Sequence, residues 1–181
     1  MGHPAACADR GTNARPPARY GCWSIVIHLI CLGNALHADD GFGSVMAHRL
    51  GRLRWPDTVR VLDGTAKASP VALFEHCSRA IVLEALPRRM GCPGEIMRVD
   101  GASYRGHPPD QFSGGTNAVL AAVRRLVAPL PEIEVVGPVA ACRLPFAPGL
   151  TPLVLAASHT LTTRLAAEFG GVAPRRRRLT A

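Results

Sequence analysis

At 181 residues the chain has the size of one domain, and its 48% hydrophobic content can fill a core built mainly from Val, Leu, Ile and Ala, since aromatics reach only 5%. The net charge of +8 gathers at the ends, in Arg10, Arg15 and Arg19 and in the run from Arg175 to Arg178, so the basic balance belongs to the tails and is weak grounds for a nucleic-acid-binding face. No apolar run is long enough to span a bilayer, which leaves no segment for membrane insertion.

Residues 1–22 are rich in Pro, Ala, Gly and Arg without an apolar period, and read as a disordered lead. The basic lead followed by "WSIVIHLICLGNALHA" imitates a secretory signal with Ala38 at the cleavage point. His28 and Asn34 interrupt its apolar stretch, and the large Leu36 occupies the −3 position, so the secretory reading is set aside. "SIVIHLICL" (24–32) is a continuous apolar run ended by Gly33 and Asn34, as expected of a central parallel strand. Phe42, Val45, Met46, Leu50 and Leu53 then recur at helical spacing. "TVRVLDG" (58–64) alternates and ends in a turn signal, which predicts a second strand. "SPVALFEHC" (69–77) predicts a short helix with Ser69 as N-cap and Pro70 in its first turn. "AIVLEAL" (80–86) and "GEIMRVDG" (94–101) are two further strands.

A loop rich in Gly, Pro and Ser covers 102–115, and Val119, Leu120, Val123, Leu126 and Val127 mark an amphipathic helix after it. "EIEVVGPVA" (132–140) is another strand. Thr151 and Pro152 open a last helix with Val154, Ala157, Leu161 and Leu165 on one face. The alternation of strands and helices predicts an α/β three-layer sandwich: a twisted, mostly parallel sheet of about five strands, with helices on both faces. The folded domain is expected over 23–171, with a basic tail over 172–181.

In such sheets function gathers at the C-terminal ends of the strands. Asp39 and Asp40 lie just beyond the first strand, Asp63 ends the second, and Glu84 stands near the end of the third. If these strands are neighbours, Asp40, Asp63 and Glu84 converge on one rim. Two readings of the Asp39 and Asp40 pair stand: a helix cap, which needs one acid, or a cleft-facing or metal-holding carboxylate. Glu84 interrupts a strand that should be buried on both faces, where a carboxylate must be paired, protonated or bound to a cation. Asp63 in "DGTA" reads equally as a turn residue.

His28 alternates within the first strand and is expected to be packed. His37 lies in the loop before Asp39, within reach of the rim. His76 and His159 fall on predicted helices, with surface placement the default. His107 lies in the long loop. The six cysteines form no Cys-x-x-Cys pair and match no zinc module; Cys31 reads as a core residue, and thiols scattered in this way fit a reducing compartment, the cytoplasm. There is no His-Glu-x-x-His, Gly-x-Ser-x-Gly, phosphate-loop or dinucleotide motif.

The stretch "LGNALHADDGFG" (32–43) resembles the Gly-x-Gly-Asn…Asp-Asp-Gly-x-Gly opening of the NiFe-hydrogenase maturation endopeptidases. "VRVLDGTA", "RAIVLEAL", "PGEIMRV" and "VVGPVA…PGLTPLV" resemble later segments of that family in the same order, so the likeness runs over about residues 24–170. The resemblance implies an endopeptidase that removes a C-terminal extension from the nickel-loaded precursor of the large subunit of a NiFe hydrogenase, the nickel being carried by that substrate. It implies Asp40 and Glu84 as the catalytic and metal-contacting acids, with Glu84 in place of the family's Asp. Cys31 stands where the family often has Gly.

The family's third metal contact is a His opening the helix after the long loop. Here "FSGGTNAVL" places Gly115 at that position by helical phase, or Asn117 with a short slip, and neither supplies an imidazole. Asn117, His107 and His37 are the residues that remain to complete the metal shell. Two readings follow: a working maturation endopeptidase, or a non-proteolytic relative that binds a hydrogenase subunit or its nickel as a chaperone.

Overall fold

The protein is described from a computed structural model, which covers residues 25–65, 69–105 and 115–174. The predicted lead 1–22, the arginine run from Arg175 and the candidate contact His107 lie outside the described residues. The elements in chain order are β1 (Ile27–Cys31), α1 (Phe42–Gly51), β2 (Val59–Asp63), β3 (Arg79–Leu83), β4 (Ile96–Asp100), α2 (Gly115–Leu126), β5 (Glu132–Pro138) and α3 (Pro152–Phe169).

Five strands form one sheet in the order β2-β1-β3-β5-β4. β1, β2, β3 and β5 run parallel and β4 runs antiparallel along the edge of β5. The alternation of side chains explains the two cores. Leu29 and Cys31 of β1 and Ile81 and Leu83 of β3 face α1 and α3, where Phe42, Met46, Leu50, Val154, Leu161 and Leu165 meet them. Ile30, Val82 and Val135 point the other way, toward Phe74, Leu120 and Val123. Both faces of the central strands are therefore dry, which is why their sequences are continuously apolar rather than alternating. The predicted three-layer α/β architecture is the one observed.

Two local differences have physical reasons. Residues 70–74 form a 3-10 turn rather than an α-helix, because Glu75 is already extended at φ −77°, ψ 149° and too few residues remain to build i to i−4 bonds. His76 is consequently an exposed turn residue at φ 59°, not a helical one. The folded segment also reaches past residue 171: Val172 and Arg54 exchange backbone hydrogen bonds of 2.9 Å in both directions.

Topology positions the site. The chain leaves β1, crosses by α1 to β2 on one side, and then returns past β1 to β3 on the other side. The connections after β1 and β3 thus depart in opposite directions. A crevice opens between them at the C-terminal edge, the place where open α/β sheets bind ligands.

Candidate active site

Both sides of this crevice carry an acid, and each acid is placed by backbone packed on a glycine. After β1, Gly33 adopts φ +140°, and a Cβ on it would lie 2.2 Å from the carbonyl oxygen of Asp40. The Asn34 N–H donates to that same oxygen at 2.9 Å, and the Asp40 N–H donates to the His37 carbonyl at 2.9 Å. The loop so closed runs through Ala38 at φ 43° into a 3-10 turn over Ala38–Gly41, which delivers Asp39 and Asp40 to different surroundings. After β3, the Glu84 N–H donates to the Val136 carbonyl at 3.3 Å. There a Cβ on Gly137 would lie 1.7 Å from the Glu84 carbonyl oxygen, so only glycine permits this approach.

Asp39 is fully buried and its carboxylate is saturated. Oδ2 accepts from the N–H groups of Ala141 and Cys142, both at 2.8 Å, and from Thr151 Oγ1 at 3.1 Å; Oδ1 accepts from the Thr151 N–H at 2.7 Å. It joins the loop after β1 to the connection between β5 and α3. Neither Asp39 nor Asp40 caps α1, whose N-cap is Gly41 with no side-chain bond. Thr151 does sit at the N-cap of α3 with Pro152 behind it, but its hydroxyl is given to Asp39 rather than to the helix. The cap reading of the paired acids is therefore replaced by a buried clamp for Asp39 and an open position for Asp40.

Asp40 is the acid that faces the crevice. Its Oδ1 accepts from an Arg143 guanidinium nitrogen at 2.7 Å, with side-chain exposures of 25% for Arg143 and 13% for Asp40, so solvent still reaches the pair. Oδ2 of Asp40 has no hydrogen-bond partner among the described residues. Glu84 is buried, and its two oxygens accept from the hydroxyls of Tyr104 and Thr116. Burial pushes its carboxyl up to about 8; the Thr116 hydrogen bond opposes that rise, the Asp40 charge adds to it and the Arg143 charge opposes it. The effect of the Asp40 charge on Glu84 is an electrostatic sign that the two acids share one rim.

The other predicted residues are placed differently. Asp63 ends β2 on the same edge, but it is exposed and its Oδ1 accepts from the Thr65 N–H at 2.9 Å and the Thr65 hydroxyl at 2.7 Å, so it serves its own turn. In the stretch Gly115–Asn117 at the start of α2, it is Thr116 that turns to Glu84; Asn117, the next residue of that turn, is half-buried. His37 is buried edge-on against the Phe146 ring, centroids 5.6 Å apart. His28 is packed, with Nδ1 2.7 Å from the Leu73 carbonyl, and burial lowers its pKa. Exposed His159 lies 2.6 Å from an Arg49 nitrogen. Among the described residues, no three His, Cys, Asp or Glu side chains gather into a metal-binding group.

Sequence reasoning missed Arg143, Tyr104 and Thr116. Arg143 had the best signal, since it lies in the connection that leaves the predicted strand 132–140, where functional loops lie. The hydroxyls of Tyr104 and Thr116 flank the long loop and carry no pattern of their own.

No protein-family model matches the chain. A protein of Methanocaldococcus jannaschii described as a candidate hydrogenase maturation protease is 31% identical over 77 residues, which are 41% of this chain and 49% of that protein. The chain thus matches about half the length of that curated relative. Among solved structures, the hydrogenase maturating endopeptidase HybD from Escherichia coli is similar with a TM-score of 0.66 and 24% identity, covering 83% of this chain and 98% of that one. The maturation protease HycI from Thermococcus kodakarensis is similar with a TM-score of 0.62 and 18% identity, covering 80% of this chain and 92% of that one. The five-stranded α/β fold of this chain is the fold of these hydrogenase maturation endopeptidases.

Proposed function

We propose that this protein is an endopeptidase that removes a C-terminal extension from the nickel-loaded large-subunit precursor of a NiFe hydrogenase. The observation that carries the reading is the meeting of Asp40 and Glu84 on the two sides of the β1–β3 switch point, in the fold of such endopeptidases. The nickel arrives as part of the substrate. Asp40 suits contact with it because Oδ2 is without a partner among the described residues and the group is open to solvent. Glu84 suits the second contact once it gives up its proton: each carboxylate oxygen then accepts one hydroxyl and keeps a further lone pair. Two oxygen donors hold nickel weakly, and are suited to reading a metal that the substrate already holds. A metal beside the scissile bond would polarise its carbonyl for attack by water. Thr116, between the two positions considered for an imidazole, holds Glu84 rather than adding a strong metal donor. His107 and Asn117 stay as the further residues for the shell.

Exposed Leu36, Leu144 and Phe146, at 54%, 60% and 75%, stand on the two loops that meet beside the crevice and fit docking of a protein rather than a small molecule. Among the described residues no helix is long and apolar enough to cross a membrane. The unpaired thiols Cys31, Cys77, Cys92 and Cys142 support work in the cytoplasm.

The test is incubation of the purified protein with nickel-loaded and nickel-free precursor, followed by intact-mass measurement. The expected result is loss of the C-terminal extension from the loaded form alone. Stable binding without any mass loss would overturn the endopeptidase reading in favour of a chaperone.

A further inference from the structure

Solvent reaches Asp40, and a carboxylate open to solvent is a ready ligand for divalent ions. Under the endopeptidase reading, the two acids must meet nickel held by a substrate while free ions bathe the same crevice. Arg143 stands between these cases. One of its guanidinium nitrogens lies 2.7 Å from Asp40 Oδ1. Its placement is built into the fold. The N–H groups of Ala141 and Cys142, immediately before it in the chain, donate to buried Asp39 at 2.8 Å, which pins this loop on the crevice. Its Nε is buried, without a partner among the described residues, so the side chain is packed along its length rather than free in solvent. Arg143 also lines an open cleft of about 520 Å³, through which ions reach the pair. Its charge is felt at the second acid as well, where it opposes the rise of the Glu84 carboxyl. One guanidinium is thus the resident counter-charge of both acids.

A cation on Asp40 Oδ2 would share one carboxylate with that guanidinium, a separation at which like charges repel strongly. The repulsion does not fall equally on all metals. A free dication brings its full charge, whereas an ion already bound by anionic ligands of a protein brings less net charge to the pair. Two oxygen donors have little affinity to set against the repulsion of the free ion. We infer that Arg143 is a specificity-determining residue: it denies free divalent metal to Asp40 and Glu84 and reserves them for nickel held in the substrate. This rests on the endopeptidase reading, and adds to it how the acids tell a loaded precursor from the ions around it.

The test is a double-mutant cycle on metal binding. Nickel(II) chloride is titrated calorimetrically into the untagged full chain, as wild type, Asp40→Asn, Arg143→Gln and the double variant, with circular dichroism to check each fold. With Arg143 in place, Asp40→Asn is expected to change nickel affinity by less than about threefold, because free nickel does not use that acid. Arg143→Gln is expected to bind nickel about tenfold or more tighter than the wild type, and the double variant to lose that gain. Arg143→Lys, which keeps the charge, should stay within about threefold of the wild type. A larger loss of nickel affinity on Asp40→Asn alone overturns the inference, and that measurement requires no change at Arg143. So does the absence of a gain in folded Arg143→Gln, or a gain that survives in the double variant. Cleavage of the nickel-loaded precursor by the wild type, measured alongside, separates the two readings. Cleavage with no gain in Arg143→Gln sinks the role of Arg143 alone, whereas that gain without any wild-type cleavage sinks the protease.

Discussion

The adjacent acids Asp39 and Asp40 should respond to mutation in opposite ways. Asp39→Ala leaves the N–H groups of the half-buried residues Ala141, Cys142 and Thr151, together with the Thr151 hydroxyl, without the buried acceptor they share. A buried donor left unmade costs roughly 1–3 kcal/mol, so even partial rescue by water gives a loss of about 4 kcal/mol, a large share of the roughly 5–15 kcal/mol that holds a domain. Asp39→Asn retains one acceptor oxygen and should lose about half as much. Asp40 offers a different balance: its one ion pair is partly exposed and contributes about 1 kcal/mol at most, and its removal also relieves repulsion on Glu84. Asp40→Asn should therefore unfold within about 1 kcal/mol of the wild type. Urea titration followed by circular dichroism, with unchanged slope, reads the stabilities; the nickel-loaded precursor reads cleavage. Asp40→Asn is expected to slow cleavage by about tenfold or more, in line with loss of one metal or transition-state contact, while Asp39→Asn cuts more slowly only in proportion to its unfolded fraction. A stability loss in Asp39→Ala below about 1 kcal/mol, or wild-type cleavage by Asp40→Asn, would refute the division of labour.

Glu84 gives a pH signature. Its carboxyl is raised from 4.5 to about 8, so the native chain keeps a proton that the unfolded chain releases. Stability should fall as pH rises between those values, by at most about 1.4 kcal/mol per unit from this group, and Glu84→Gln should flatten the fall in urea midpoints measured from pH 5 to 8. Thr116→Val removes a hydroxyl that favours the charged form, so the pH at which that fall levels off should move upward. Gly137→Ala should be poorly folded or strongly destabilised, by about 3 kcal/mol or more on thermal melting, because the new methyl meets main chain rather than a side chain that can swing away. Glu84→Asp, which keeps a carboxylate on a shorter arm, should retain measurable cleavage where Glu84→Gln loses it, read on the same precursor.

Most of the sheet is legible in the sequence because burial on two faces writes itself as continuous apolar runs. "SIVIHLICL" and "AIVLEAL" are the two central strands, and the acids that end them are the two at the crevice. The direction of β4 is not legible: "GEIMRVDG" alternates in the same way whether it pairs parallel or antiparallel, and backbone bonding to β5 decides it. Nor could residue type separate Asp39 from Asp40. The separation depends on a 3-10 turn entered through Ala38 at positive φ, and on donors more than a hundred positions along the chain. Arg143 eluded the sequence for the same reason, since its partner Asp40 is 103 positions away.

The two glycines at the crevice make the frame of the site independent of its chemistry. Gly33 bears on the carbonyl of Asp40 and Gly137 on that of Glu84, so main chain meets main chain at both anchors. The acids are mounted like interchangeable heads on a rigid jig. Changing the side chain at residue 84 or 116 alters what is offered at the crevice without moving the mounts. New donor sets can thus arise here by single side-chain replacements, while a change at either glycine displaces the acid that rests on it.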